Sequence, residues 1–156
     1  MQSELPHGVV NHTSIARKTD YLFRVSIKCL ILADDGRVLV VKEGGRTWWD
    51  LPGGGMDHDE NIRDAVAREL YEEVSLKGDF SYRVIDVDEP KMLNSAAIWQ
   101  LRLIFLVKPI EMSFECGQDC NEISFIDPGT LKDSENPVEQ RVYGYAQAAL
   151  ALTTIK

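Results

Sequence analysis

The chain has 156 residues, with 25 acidic and 17 basic side chains and a formal charge of −8. That length suits one domain burying its apolar surface in a single core, and 44% hydrophobic with 27% charged residues is ordinary globular composition. The acidic balance, with no cluster of Lys and Arg, argues against a basic surface that grips a nucleic-acid polymer, so phosphates would have to be met through divalent cations or a few placed bases.

Residues 1–20 are polar and aperiodic, which fits an N-terminal arm or a loosely attached first strand ahead of a single domain over 21–156. They hold no apolar core of signal-peptide length, and nowhere does the chain approach the roughly 18 apolar residues of a membrane span. The cytoplasm is the default compartment. "YLFRVSIKCLILADDGRVLVVK" reads as two β-branched runs joined at Asp34–Asp35–Gly36, an Asp-Gly hairpin signal. Cys29 within it is expected to be a buried, reduced thiol. "RTWWDLPGGGMDHDE" predicts a short aromatic strand ending at Pro52, then a glycine-rich loop. Residues 60–74 predict a helix. "FSYRVIDVDEP" and "AAIWQLRLIFLVKP" predict strands, the second apolar enough to lie in the middle of a sheet. Cys116 and Cys120, with no second pair or nearby His, suit neither a disulfide framework nor a zinc site. "EISFID" is a last short strand. From Pro137 the chain predicts a helix with a stripe of Val138, Val142, Tyr145, Ala149 and Leu150. The expected fold is one α+β domain, a mixed sheet between two helices.

The helix over 60–74, "ENIRDAVARELYEEV", carries five carboxylates in fifteen residues. Asp57 can cap its start with Glu60 reaching back, and Asp57, Asp59 and Glu60 all favour the positive end of the macrodipole. The other end resists such a reading. At about 100° per residue, Ile62, Ala65, Val66 and Leu70 define the core face; Glu69 and Glu73 fall on that same line, with Glu72 at its edge. Like charges at this spacing cost roughly 0.2–0.5 kcal/mol per pair even when exposed. Partial burial raises the cost unless a counter-charge is supplied. Arg68 can pair with Glu72 four residues on, which leaves Glu69 and Glu73 without a local partner. A divalent cation resolves this, and carboxylate-rich oxygen ligation suits Mg²⁺ or Mn²⁺ rather than zinc. The competing reading is a solvated acidic face of a surface helix.

Gly53, Gly54 and Gly55 precede this helix and let the backbone approach a ligand closely. They match neither a P-loop nor a dinucleotide fingerprint. Gly54, five residues, Glu60, seven residues, then Arg68–Glu69–Leu70–Tyr71–Glu72–Glu73–Val74–Ser75–Leu76 resembles the signature box of the Nudix hydrolases. The similarity extends to Trp49–Asp50–Leu51–Pro52–Gly53–Gly54 and to the strand pattern on both sides. One position departs. Ser75 stands where the family usually has a glycine that ends the helix in a left-handed conformation, which would let the helix run on toward Gly78.

The resemblance implies a Nudix-type α+β fold and Mg²⁺-dependent hydrolysis, with Mn²⁺ a substitute, of a nucleoside diphosphate linked to another moiety. On it, Glu69, Glu72 and Glu73 are the metal-binding carboxylates, with the Gly54 carbonyl a further ligand. Arg68 orients a glutamate and Glu60 sits behind the site. The general base is Glu69 or Glu73, or a carboxylate from the loop before the last strand: Glu115, Asp119 or, ranked first, Glu122. Trp48 could stack on a base or sugar and Arg46 could contact a phosphate, beside Gly53 and Gly54. Trp49 and Trp99 are expected to pack, and His58 to be solvated. Pro90, fifteen residues after Ser75, resembles the ADP-sugar-cleaving subgroup. Met92, Leu93 and Asn94 lack the tyrosine of the dinucleoside-polyphosphate subgroup, and a nucleoside triphosphate is an equal candidate. The expected partner is a small nucleotide, with no nucleic-acid polymer and no membrane; residues 1–20 leave a homodimer open. Two alternatives stand beside this: a nucleotide-binding or regulatory domain of the same fold without turnover, and a plain acidic domain.

Overall fold

The computed structural model describes residues 8–14, 16–93 and 97–154. A small antiparallel hairpin of β1 (Val9–Asn11) and β2 (Thr19–Tyr21) comes first. Then follow β3 (Phe23–Leu30), β4 (Val38–Glu43), α1 (Ile62–Val74), β5 (Phe80–Leu93), β6 (Ile98–Pro109), β7 (Cys120–Ile126) and α2 (Pro137–Thr154). β6 is the middle of a three-stranded mixed sheet, parallel to β3 and antiparallel to β5, as its apolar run predicts. β4 and β7 pair antiparallel as a second sheet.

The unbroken apolar runs have a physical cause: both faces of these strands are covered. Ile27, Cys29, Leu39, Val41, Phe105 and Val107 pack with Ala65, Val66, Leu70 and Val74 of α1. The alternate residues Leu30, Val38, Val40, Ile104 and Leu106 pack with Val142, Tyr145, Ala146 and Ala149 of α2. The architecture is therefore α+β, with strands between two helices. Among the described residues no helix is long and apolar enough to cross a membrane.

Several local expectations are corrected. The hairpin at Asp34–Asp35–Gly36 forms, with Ala33 donating to the Arg37 carbonyl at 2.8 Å, Leu39 to the Ile31 carbonyl at 3.0 Å and Leu32 bridging Val38, but beyond it the two arms part into different sheets. A turn signal fixes where the chain reverses, not which distant strand completes each ladder. The aromatic stretch before Pro52 is no strand; only Asp50 bridges to Val41. α1 is capped by Asn61, whose side chain accepts from the Asp64 amide at 2.8 Å, rather than by Asp57. Asp59 takes a left-handed turn (φ 61°); Glu60 does reach back, accepting from the Asp57 amide at 2.9 Å, and its carboxylate also meets Arg68. The helix does not run on to Gly78. Ser75 itself adopts the left-handed conformation (φ 53°), and its amide donates to Tyr71. That conformation costs a non-glycine residue about 1–2 kcal/mol. It delivers Leu76 into the α1 core, at 6% exposure, and burying a leucine contributes about 1.5–3 kcal/mol. Trp99 is not core: it is 44% exposed, opposite Phe23 and Met92 at the end of the sheet. Cys116 and Cys120 are joined in a disulfide, brought together where the Cys120 amide turns back to the Gly117 carbonyl. Cys29 is free and buried.

Candidate active site

α1 presents Ala65, Val66, Leu70 and Val74 to the core, and Glu69 and Glu73 continue that face at 7% and 4% exposure. Glu73 accepts a hydrogen bond from the Gly53 amide at 3.1 Å. Glu69 lies against Gly54, where a Cβ would stand 2.8 Å from its Oε1. Gly53 has φ +139°, and a Cβ on it would fall 2.2 Å from the Ile27 carbonyl oxygen, so only glycine lets this loop lie on β3. Burial pushes the Glu73 carboxyl up to about 9, the Glu43 carboxylate adding to it against the pull of Lys28. Burial also raises Glu69, opposed by its bond to Arg68.

Arg68 organises the outer half of the site. Its guanidinium grips Glu60 bidentately at 2.7 and 3.0 Å, donates to Glu69 Oε1 at 2.9 Å and reaches the Gly55 carbonyl at 3.0 Å. Glu72, the partner expected from spacing, is met only at 3.4 Å. The bond to Arg68 holds Glu60 below the usual carboxylate range.

The structure thus brings Glu69 and Glu73 together at Gly53–Gly54 and leaves Glu72 beside Arg68, its side chain 41% exposed. Among the described residues no three His, Cys, Asp or Glu side chains form a ready-made cage. The Gly54 carbonyl spends one lone pair on the Ile27 amide at 2.9 Å.

Arg46 pairs with Glu43 at 2.7 Å and lies over Trp48, 6.0 Å from the ring centroid. With Glu43, Gly44, Gln118, Asp119 and Asn121 it lines a polar cavity of about 500 Å³. Glu122 is elsewhere. It stands opposite Lys42 and pairs with it at 3.0 Å, and Lys42 lies over Trp49, which packs on the α2 side. Neighbouring Val41 and Ile123 face α1, so strand alternation turns Lys42 and Glu122 away from the α1 carboxylates.

Sequence reasoning missed Lys28 and Glu43. Lys28 is 6% exposed, pairs with Asp50 at 2.9 Å and donates to the Leu51 and Gly53 carbonyls at 3.0 and 3.3 Å, tying down the loop beneath the glutamates. The available signal was a lysine inside an apolar run.

Two buried carboxylates, one of them without a bonded cation, fit a hard divalent ion. Mg²⁺ characteristically takes one or two carboxylates and keeps its other positions for waters and phosphates. The class of site defined is a pair of buried carboxylates against a glycine-rich backbone loop. Residues 22–142 match the model of the NUDIX domain, and the chain belongs to this hydrolase family, with pyrophosphate hydrolysis its general activity. A MutT-like protein of Streptomyces ambofaciens is 26% identical over 72% of this chain and 69% of its own length. The Nudix hydrolase YvcI of Bacillus subtilis is 40% identical over 44% of this chain and 46% of that protein. An RNA pyrophosphohydrolase of Aeromonas hydrophila is 44% identical over 35% and 31%. For these last two the match spans less than half of each relative. The NUDIX domain of Shewanella oneidensis NrtR, solved with ADP ribose, superimposes with a TM-score of 0.66 at 15% identity, covering 92% of this chain and 95% of that one. A MutT protein from Methanosarcina mazei Go1 gives 0.62 at 18% identity, over 82% and 95%. These two likenesses show the fold.

Proposed function

We propose that this chain hydrolyses the pyrophosphate bond of a nucleoside diphosphate linked to another moiety, with Mg²⁺ held at Glu69 and Glu73 and Mn²⁺ able to replace it. The observation that carries this is the burial of both carboxylates, at 7% and 4% exposure, against a triple-glycine loop. Mg²⁺, when bound, neutralises phosphate oxygens and acidifies a water. The chain's own residues supply the rest. Gly53 fixes Glu73 through its amide, Arg68 fixes Glu69, and Glu60 fixes Arg68. Glu72 adds a third carboxylate one turn on. Arg46 offers a cation to a phosphate at the polar cavity, and Trp48 beside it offers a ring to the base or sugar. With Glu122 turned toward α2, the candidates for proton acceptor are Glu69 or Glu73, or, from the loop, Glu115 or Asp119, the latter on the cavity wall. A nucleoside diphosphate sugar and a nucleoside triphosphate both fit; the ADP ribose held by the NrtR domain favours the first. The charge of −8 disfavours an RNA chain as the body of the substrate.

A panel of nucleoside diphosphate sugars, triphosphates and dinucleotides with Mg²⁺, scored by phosphatase-coupled phosphate release, tests the reading. Glu73→Gln should lower kcat by at least roughly a hundredfold in a folded protein. Wild-type rates in that variant overturn the site. Mn²⁺ and nucleotide binding without turnover of any compound would instead leave a binding domain of the same fold.

A further inference from the structure

We propose that Cys116 and Cys120 are a reversible redox-modification site, whose disulfide clamps the preceding loop onto the C-terminal end of α1. Its consequence for metal binding rests on the function proposed above; the clamp itself does not.

The bridge closes a small ring that contains Gly117. The Gly117 amide donates to the Glu73 carbonyl at 2.9 Å, and Glu115, just outside the ring, donates to the Val74 carbonyl at 3.1 Å. Both acceptors belong to the last turn of α1, whose carbonyls have no helical partner of their own. A Cβ on Gly117 would lie 1.9 Å from the Glu72 carbonyl oxygen, so the ring sits directly on the peptide that joins Glu72 to Glu73. On its other side the ring is anchored where Cys120 pairs with Glu43 at a ladder irregularity. Gln118, Asp119 and Asn121 carry the same segment into the wall of the Arg46 cavity. One bridge therefore ties together the end of α1, Glu43 and the cavity. Cys116 is exposed whereas Cys29 is fully buried, so a reagent distinguishes them.

The chemistry is thiol–disulfide exchange with a small thiol or a protein dithiol. One thiolate attacks Sγ of Cys116; the Sγ–Sγ bond breaks, Cys120 leaves as thiolate and takes a proton, and a mixed disulfide remains. A second thiolate attacks the reagent's sulfur in that mixed disulfide and releases Cys116. Two thiols are oxidised to one disulfide as the protein gains two thiols. With the ring open, the loop stays on α1 only through those two hydrogen bonds and the packing of Phe114 against the α1 core.

The test uses the full chain, purified without reductant and compared with the same protein treated with dithiothreitol. N-ethylmaleimide should add to the native protein at two positions only after reduction. Amide exchange at Glu115 and Gly117 should accelerate roughly tenfold or more, with β6 unchanged. The Mn²⁺ dissociation constant, read from free-ion paramagnetic resonance, should rise roughly tenfold. A Cys116→Ser, Cys120→Ser variant should show the reduced values and ignore reductant; if it fails to fold, reduced wild type carries the test. Two labels before reduction, or exchange at Glu115 and Gly117 unmoved by reduction, overturn the proposal. Reductant sensitivity that survives in the variant does so too. Altered exchange in a protein that never binds Mn²⁺ supports the clamp and sinks the metal site instead.

Discussion

Replacing Glu73 by Gln should make the metal-free protein more stable while removing its response to Mg²⁺. Glu73 is 4% exposed, and burial with the nearby Glu43 carboxylate moves it from 4.5 to about 9. In the folded, metal-free state it therefore keeps its proton to high pH, while the unfolded chain gives that proton up near 4.5. Folding takes up a proton throughout that window. Stability is fully present below the unfolded value and falls by about 1.36 kcal/mol per pH unit as pH rises toward the folded one. At pH 7.5, about three units into the window, the cost is about 4 kcal/mol. Gln has the same shape, accepts from the Gly53 amide and pays no such cost. The variant should gain about 2–4 kcal/mol in chelator at pH 7.5, and about 1 kcal/mol at pH 5.5. For a chain of this size that is a rise in Tm of about 5–10 °C at the higher pH. Mg²⁺ at a hundredfold over its Kd should return about 2.7 kcal/mol to wild type and little to the variant. Thermal and urea denaturation with chelator or Mg²⁺ at both pH values reads all of this. A Gln variant no more stable than wild type in chelator at pH 7.5, or a gain that does not shrink at pH 5.5, refutes the reasoning.

Ser75→Gly relieves the left-handed residue at the end of α1 and should add about 1 kcal/mol, a Tm rise of about 2–4 °C; an unchanged melting curve would show that Ser75 carries no strain. Gly117→Ala puts a methyl 1.9 Å from the Glu72 carbonyl oxygen and should lose about 1–3 kcal/mol in urea, because backbone rather than a flexible side chain must move. A wild-type midpoint would place the loop elsewhere. Lys28→Met strips Asp50 and the Leu51 and Gly53 carbonyls of their buried donor and should cost about 3–5 kcal/mol. A loss under about 1 kcal/mol in urea would mean that water reaches the loop from below.

Whatever repeats along one element was legible in the residues alone. Helical spacing put Glu69 and Glu73 on the line of Ala65, Val66 and Leu70, and those side chains are buried together. The glycines before α1, the apolar run of β6 and the start of α2 at Pro137 were equally readable, because each depends on neighbours in the chain. The family box named the carboxylates; it did not say how they are arranged. That was decided by contacts between residues far apart. Lys42 and Glu122, 80 positions apart, pair across two strands, and that pairing turns Glu122 from the α1 side to the α2 side. Lys28 reaches the Gly53 carbonyl across 25 positions, and Ser75 takes a left-handed turn because Leu76 finds room in the core. Local periodicity sets which face of an element is apolar. Only the assembled fold sets what that face meets, since each pairing must outweigh the entropy of closing the chain between its partners.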